Sequence, residues 1–186
     1  IRAAIERDVA LTVSEPIIWG LDVARYGGDN SALVARQGNT VLEIKSFQSM
    51  DLMQLCGAVK NKYDDCTTLE KPQEILVDVI GLGSGVVDRL AEQNLPVRGV
   101  NVAEAPATKK NYLNLRAELW FAIKDWLAQR DCRLPNDDEL VSELAAPIYK
   151  YTSSGKIKLE SKEEMRKRGI KSPDKADALS LTMASS

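Results

Sequence analysis

Two apolar runs set the terms on which this chain can fold. Residues 16–24, PIIWGLDVA, and 73–80, QEILVDVI, read as strands that are nearly all apolar, and each carries an aspartate close to its carboxyl end, Asp22 and Asp78. A strand with no polar face requires a sheet covered on both sides, and in a chain of 186 residues that cover has to come from helices.

The sequence between and after these runs supplies the rest of such a layer structure. Residues 31–37 and 40–47 predict two further strands, the turn QGNT closing a hairpin between them, so that with the first strand they form an antiparallel meander. From Asp51 the period changes: Leu52, Leu55, Val59 and Tyr63 recur at helical spacing. GLGSG leads from the second apolar run into a helix over 84–93, and LPVRGVNV supplies one more strand, an alternation that implies parallel pairing. The GLGSG spacing does not match a dinucleotide-binding fingerprint, and its glycines are read as allowing a tight strand-to-helix passage. Tyr112, Leu115, Leu119, Ile123 and Trp126 stripe a long helix, and 136–146 predicts another, stopped by Pro147. Tyr112, Trp120 and Trp126 are assigned to the core or an interface. Residues 148–160 alternate around Ser-Ser-Gly as a second hairpin, a basic irregular stretch follows, and Ser172 and Pro173 predict the cap and first residue of a last helix. The expected fold class is α/β, a mixed sheet flanked by helices with an additional β-hairpin. Residues 1–15 hold too few apolar side chains for a core and are read as a linker; residues 16–186 form the domain.

Composition narrows the chemistry. There is no histidine, which removes Ser-His and Cys-His triads, histidine bases and His-containing zinc sites. Three cysteines without CxxC spacing fit buried thiols in a reducing compartment, and the net charge of −2 gives no global basic field. No apolar run reaches the roughly 18 residues of a membrane span.

What remains is carboxylate chemistry. Alternation along the first strand puts Ile18, Gly20 and Asp22 on one face. An ionised carboxylate at the end of a buried strand needs a partner, a hydrogen-bond network or a metal. Asp78 repeats the arrangement, and Asp174 and Asp177 lie three apart at the start of the last helix, where the helix dipole favours acids. Each alone has an ordinary reading as a turn or helix cap. Together, two neighbouring strand ends and one helix start can bring these acids to one point, where their mutual repulsion calls for a hard divalent cation, magnesium or manganese. Asp29 is read as bracing the turn after the first strand. Residues 149–171 hold eight basic side chains against three glutamates, which points to phosphate contact by Lys150, Lys156, Lys158, Lys162, Arg166, Lys167 and Arg168; the ordinary alternative is a solvated charged surface. Lys109, Lys110 and Arg116 are weaker candidates.

The segments GLDVARYGGDNSAL, ILVDVIGLGSGVVDRL, KKNYLNLRAELW, LPNDDELVSEL and KEEMRKRGIKSPDKADAL, in that order over residues 16–184, resemble the nuclease domain of the large terminase subunit of tailed bacteriophages. The resemblance implies a ribonuclease H-like fold and an endonuclease that cuts concatemeric double-stranded DNA at packaging with two magnesium or manganese ions. It implies Asp22 as the bridging first-strand ligand, Asp78 as the second acid and Asp177 as the last-helix acid, with Asp174 an alternative or fourth ligand. The implied partners are double-stranded DNA, an N-terminal packaging ATPase domain on the same full-length chain, the portal and the small terminase subunit, in the host cytoplasm and away from membranes. The sequence begins at Ile1 and contains no ATPase phosphate loop, so the expectation is a fragment lacking the motor. Two rivals stand beside this reading: an actin-like ATPase or sugar kinase, for which the chain is too short to make two lobes, and a module that docks on DNA or portal without cutting.

Overall fold

The strand Ile17–Asp22 (β1) is buried along its whole length and sits at the centre of the sheet in a computed structural model of the chain, which describes residues 1–24, 30–108 and 110–185. Ser31–Gln37 (β2) and Thr40–Phe47 (β3) extend it on one side as an antiparallel meander; Glu74–Asp78 (β4) and Val97–Val100 (β5) extend it on the other as parallel strands. The order is β3-β2-β1-β4-β5. This is the expected mixed sheet, with antiparallel pairing among β1, β2 and β3, the last two joined by a two-residue turn, and parallel pairing where a helix crosses over.

Both faces are covered, as the apolar runs demanded. Ile17, Trp19 and Leu21 face Leu55, Val59, Val86 and Leu90 of helices Leu52–Asp65 (α2) and Gly83–Glu92 (α3). On the other face, Ala32 and Val34 join a core with Leu115–Ala128 (α4), Asp138–Ala145 (α5) and Asp174–Leu181 (α7), while Ile18 packs with Leu76, Leu115, Leu119 and Leu181. At Gly83 the passage from β4 into α3 is so tight that a Cβ would lie 1.7 Å from the Asp78 carbonyl oxygen. The three cysteines are free thiols, two of them buried.

The alternation of residues 148–160 becomes a two-stranded hairpin, Tyr149–Tyr151 (β6) and Ile157–Leu159 (β7). It is tied to the segment before α4 by Leu113 N–H donating to the Ile157 carbonyl at 2.8 Å and Ile157 N–H donating to that of Asn111 at 2.8 Å. Three details differ from the sequence reading. The basic stretch is not irregular: Lys162–Lys167 (α6) is a helix, capped by Ser161 with Glu164 reciprocating, a Ser-x-x-Glu box that was present in the sequence. The helix α4 begins at Leu115, capped by Asn114, so Tyr112 precedes it. Ser172 does not cap α7, whose cap position is Pro173, and the Ser172 hydroxyl is buried without a hydrogen-bond partner.

Residues 1–15 include a short helix, Arg2–Glu6 (α1), and lie against the domain: Ala4 is buried, and its carbonyl accepts from Leu134 N–H at 3.0 Å. Gln37 and Asn39 from the β2–β3 hairpin donate to the carbonyls of Glu15 and Ala10. No helix among the described residues is long and apolar enough to cross a membrane.

Candidate active site

The register of the sheet places the first two acids. In the parallel pair, Gly20 lies opposite Leu76 and Leu21 opposite Val77, so Asp22 and Asp78 are the next residues on adjacent strands and end at the same height. The third and fourth acids come from above. Helix α7 crosses β1 at Gly20, where a Cβ would sit 2.0 Å from the Ala178 carbonyl oxygen, and this backbone-on-backbone contact brings the first turn of α7 to the end of β1. The result is a cleft of about 240 Å³ lined by Asp22, Asp78, Asp174 and Asp177 together with Lys158, Lys162 and Arg166.

A lysine occupies the middle of the acids. The Lys162 ammonium lies 3.0 Å from Asp22 Oδ2, 3.2 Å from Asp177 Oδ2 and 3.8 Å from Asp174 Oδ1. Burial works against its charge, but the three carboxylates outweigh burial and hold its pKa above the ordinary lysine range. Burial pushes Asp22 up to about 7, opposed by Lys162 and reinforced by Asp177 and Asp174. Asp78 is also raised by burial, offset in part by the Ile80 N–H that its Oδ1 accepts at 3.0 Å.

Asp177 is held differently. Its Oδ1 accepts from Trp120 Nε1 at 2.8 Å and from Arg116 Nη2 at 3.1 Å, while the same guanidinium donates through Nη1 to the Glu160 carbonyl at 2.7 Å. Burial raises its pKa, but Arg116, Lys162 and Trp120 together bring it below the usual aspartate value. One oxygen is thereby committed to donors from α4, and the other, Oδ2, is buried and faces the Lys162 ammonium at 3.2 Å. Arg116 and Trp120 were assigned from sequence to weak DNA contact and to the core. Their four-residue spacing, which puts a guanidinium and an indole N–H on one helical face, was the available signal.

Among the described residues no three acidic or thiol side chains are already drawn together as an ion cage; these carboxylates converge on an ammonium instead. That disposition is what a cation site looks like when a protein cation fills it, and the donor set, all carboxylate oxygen, is the one that suits magnesium or manganese.

The basic residues are placed differently from one another. Lys158, Lys162 and Arg166 border the acid cleft. Lys150 pairs with Glu164 at 2.9 Å and Lys158 lies 3.7 Å from the same carboxylate, the two lysines being cross-strand partners on one face of the hairpin. Arg168 grips Glu160 with both Nε and Nη2 at 2.7 Å and donates to the Ala146 carbonyl, so it braces the hairpin base; Lys156 and Lys167 are exposed. Asp29 and Lys109 lie outside the described residues.

No protein-family model and no curated protein sequence matches this chain. Solved structures do. The nuclease domain of the large terminase subunit gp2 of bacterial virus Sf6 superposes with a TM-score of 0.74 at 20% identity, covering 100% of this chain and 96% of that one. The fold is that of a phage terminase nuclease domain. A mutant of the Sf6 domain with manganese and beta-thujaplicinol reaches 0.81 at 20% identity over the same coverage. The large terminase nuclease of thermophilic phage G20c with bound magnesium gives 0.67 at 14% identity, covering 91% of this chain and 81% of that one. The mixed sheet flanked by helices and the separate hairpin described above match that fold.

Proposed function

We propose that this chain is a divalent-cation-dependent endonuclease that cuts concatemeric viral double-stranded DNA during genome packaging. The observation that carries the reading is the Lys162 ammonium, lodged within 4 Å of three buried aspartates at the end of two parallel strands. Asp22, Asp78, Asp177 and Asp174 would hold the ions, Asp177 through Oδ2, which is buried and meets the Lys162 ammonium rather than a donor from α4. Two magnesium or manganese ions bound there would lower the pKa of an attacking water and stabilise the leaving oxygen of the phosphodiester. The fold neighbours support the choice of ion class, since terminase nuclease structures from Sf6 and G20c are described with manganese, calcium, magnesium and cobalt.

The chain's own contributions follow from the geometry. Arg116 and Trp120 orient Asp177, and Arg116 also ties the hairpin base to the site through Glu160. Lys158 and Arg166 in the cleft lining, with Lys150, Lys156 and Lys167 on the hairpin and α6, would hold the phosphate backbone without reading sequence. Lys162 neutralises the acids when no ion is bound and must withdraw for one to enter. Arg168, committed to Glu160, shapes this surface rather than meeting phosphate first. In its full-length context the domain would work in the host cytoplasm with an N-terminal ATPase domain, the portal and the small terminase subunit, residues 1–15 joining it to the ATPase.

The test is plasmid cleavage with magnesium or manganese, beside a chelator control and Asp22→Asn. The variant is expected to keep the wild-type circular dichroism spectrum and lose cutting; full activity in Asp22→Asn, or cutting in chelator, would sink the assignment.

A further inference from the structure

Helix α7 carries both of its aspartates into the cleft, so their distance from Asp22 depends on where the helix sits along its own axis. At Gly20 it rests directly on the strand backbone with no intervening side chain, which fixes its height, while its axial position is set by the groups that hold it: Arg116 and Trp120 on Asp177, and whatever holds its first turn. The first turn of any helix has N–H groups without intrahelical acceptors, and here the local chain offers no side-chain cap: Pro173 makes no such bond and the Ser172 hydroxyl has no partner. The acceptor comes from another helix. Glu143, near the end of α5, takes the Ala176 N–H on Oε2 at 2.9 Å. A second bond crosses the same junction, Lys175 Nζ donating to Asp137, the cap of α5, at 2.7 Å and pairing with Glu139 at 2.8 Å.

We propose that Glu143 is a positioning residue, a cap lent by α5 that sets the axial place of α7 and so holds Asp174 and Asp177 at the spacing from Asp22 that a divalent cation requires. The inference rests on the metal-site reading above. It goes beyond that reading in assigning a role to a side chain that does not line the cleft. Outer groups that orient ligands commonly change metal affinity 10–100-fold when removed.

Two substitutions separate reach from charge. Glu143→Gln keeps the length and an acceptor oxygen but loses the charge; Glu143→Asp keeps the charge but falls one methylene short. Both are to be measured by manganese calorimetry, with and without duplex DNA, at a temperature where melting curves show each variant folded, and by hydrogen exchange at the Ala176 amide. Positioning by reach predicts that Glu143→Asp weakens manganese binding about tenfold or more and speeds Ala176 exchange, while Glu143→Gln stays within about threefold of wild type in both. The reverse order would mean that only the negative charge matters and would overturn the proposal. So would unchanged manganese affinity in Glu143→Asp alongside a lowered melting temperature, since the contact would then be structural alone. If the wild-type chain binds no manganese under either condition, the metal-site reading fails on its own account; Ala176 exchange then decides the cap, and an unaltered rate in Glu143→Asp refutes it.

Discussion

Replacing Lys162 with methionine removes the ammonium and keeps most of the stem, so it isolates the charge at the centre of the acids. Wild type places that charge 3.0, 3.2 and 3.8 Å from Asp22, Asp177 and Asp174, whose side chains are 5%, 9% and 13% exposed. Breaking a fully buried ion pair costs about 3–5 kcal/mol. The Lys162 side chain is 32% exposed, and Asp22, already pushed up to about 7, can relieve repulsion by taking a proton, so the expected loss is smaller, about 1–3 kcal/mol. In a domain of this size each kcal/mol moves the melting temperature by roughly 2–4 °C, which predicts a fall of about 2–12 °C in chelator. A divalent cation should repair the variant more than it helps wild type, because no ammonium has to be displaced; at 100 times its dissociation constant a bound ion contributes about 2.7 kcal/mol. The assay is a melting curve of each protein in chelator and across a manganese titration. Equal melting temperatures in chelator, or a manganese response no larger in the variant than in wild type, would show that Lys162 does not stand in for a cation.

Three further outcomes follow from the same geometry. Gly20→Ala inserts a methyl 2.0 Å from the Ala178 carbonyl oxygen, so α7 must move by an ångström or so; a loss of about 1–3 kcal/mol in urea unfolding is expected, and an unchanged midpoint would contradict the close crossing. Trp120→Phe removes one of the two donors at Asp177 Oδ1 while keeping an aromatic ring in the core, and manganese affinity should drop severalfold with the fold intact by circular dichroism; equal affinity would mean that Arg116 alone fixes the carboxylate. Burial pushes Glu143 up to about 7 from an unfolded value of 4.5, so the folded chain binds more protons across that interval. Stability from this group is therefore present at low pH and lost as pH climbs toward 7, and Glu143→Gln should flatten the urea-midpoint slope between pH 5 and 7, a parallel pair of slopes being the refuting result.

The sheet was legible because its signals are local. Apolar runs, a Gly-Asn turn and a change of period at Asp51 each report on a few consecutive residues, and the strands formed within a residue or two of the reading. The meeting of Asp22, Asp78, Asp174 and Asp177 in one cleft was also anticipated, since strand ends and a helix start are positions the pattern itself defines. What the pattern could not carry was pairing across long separations. Lys162 looked like one more surface cation in a basic stretch, yet it sits 140 residues from Asp22 in sequence and 3.0 Å from it in space. Ser172 looked like a cap because serine is a favoured cap residue and proline suits the first helical position; the cap came instead from Glu143, 33 residues before the Ala176 amide it accepts from, through a junction that neither helix announces. Trp120 was hidden for a similar reason, since its ring belongs to the core and only its N–H reaches the site.

The register of β1 against β4 also restricts how such a chain can vary. Since Leu21 faces Val77 and each strand runs one residue further to its acid, losing or gaining a residue within either strand would send one carboxylate to the opposite side of the sheet, under α2 and α3. The two strands therefore act as a shared ruler: loops on either side can lengthen at little cost, while the count from Ile17 to Asp22 and from Glu74 to Asp78 can change only in both strands together and by an even number of residues, because an odd change would carry both acids away from Asp174 and Asp177.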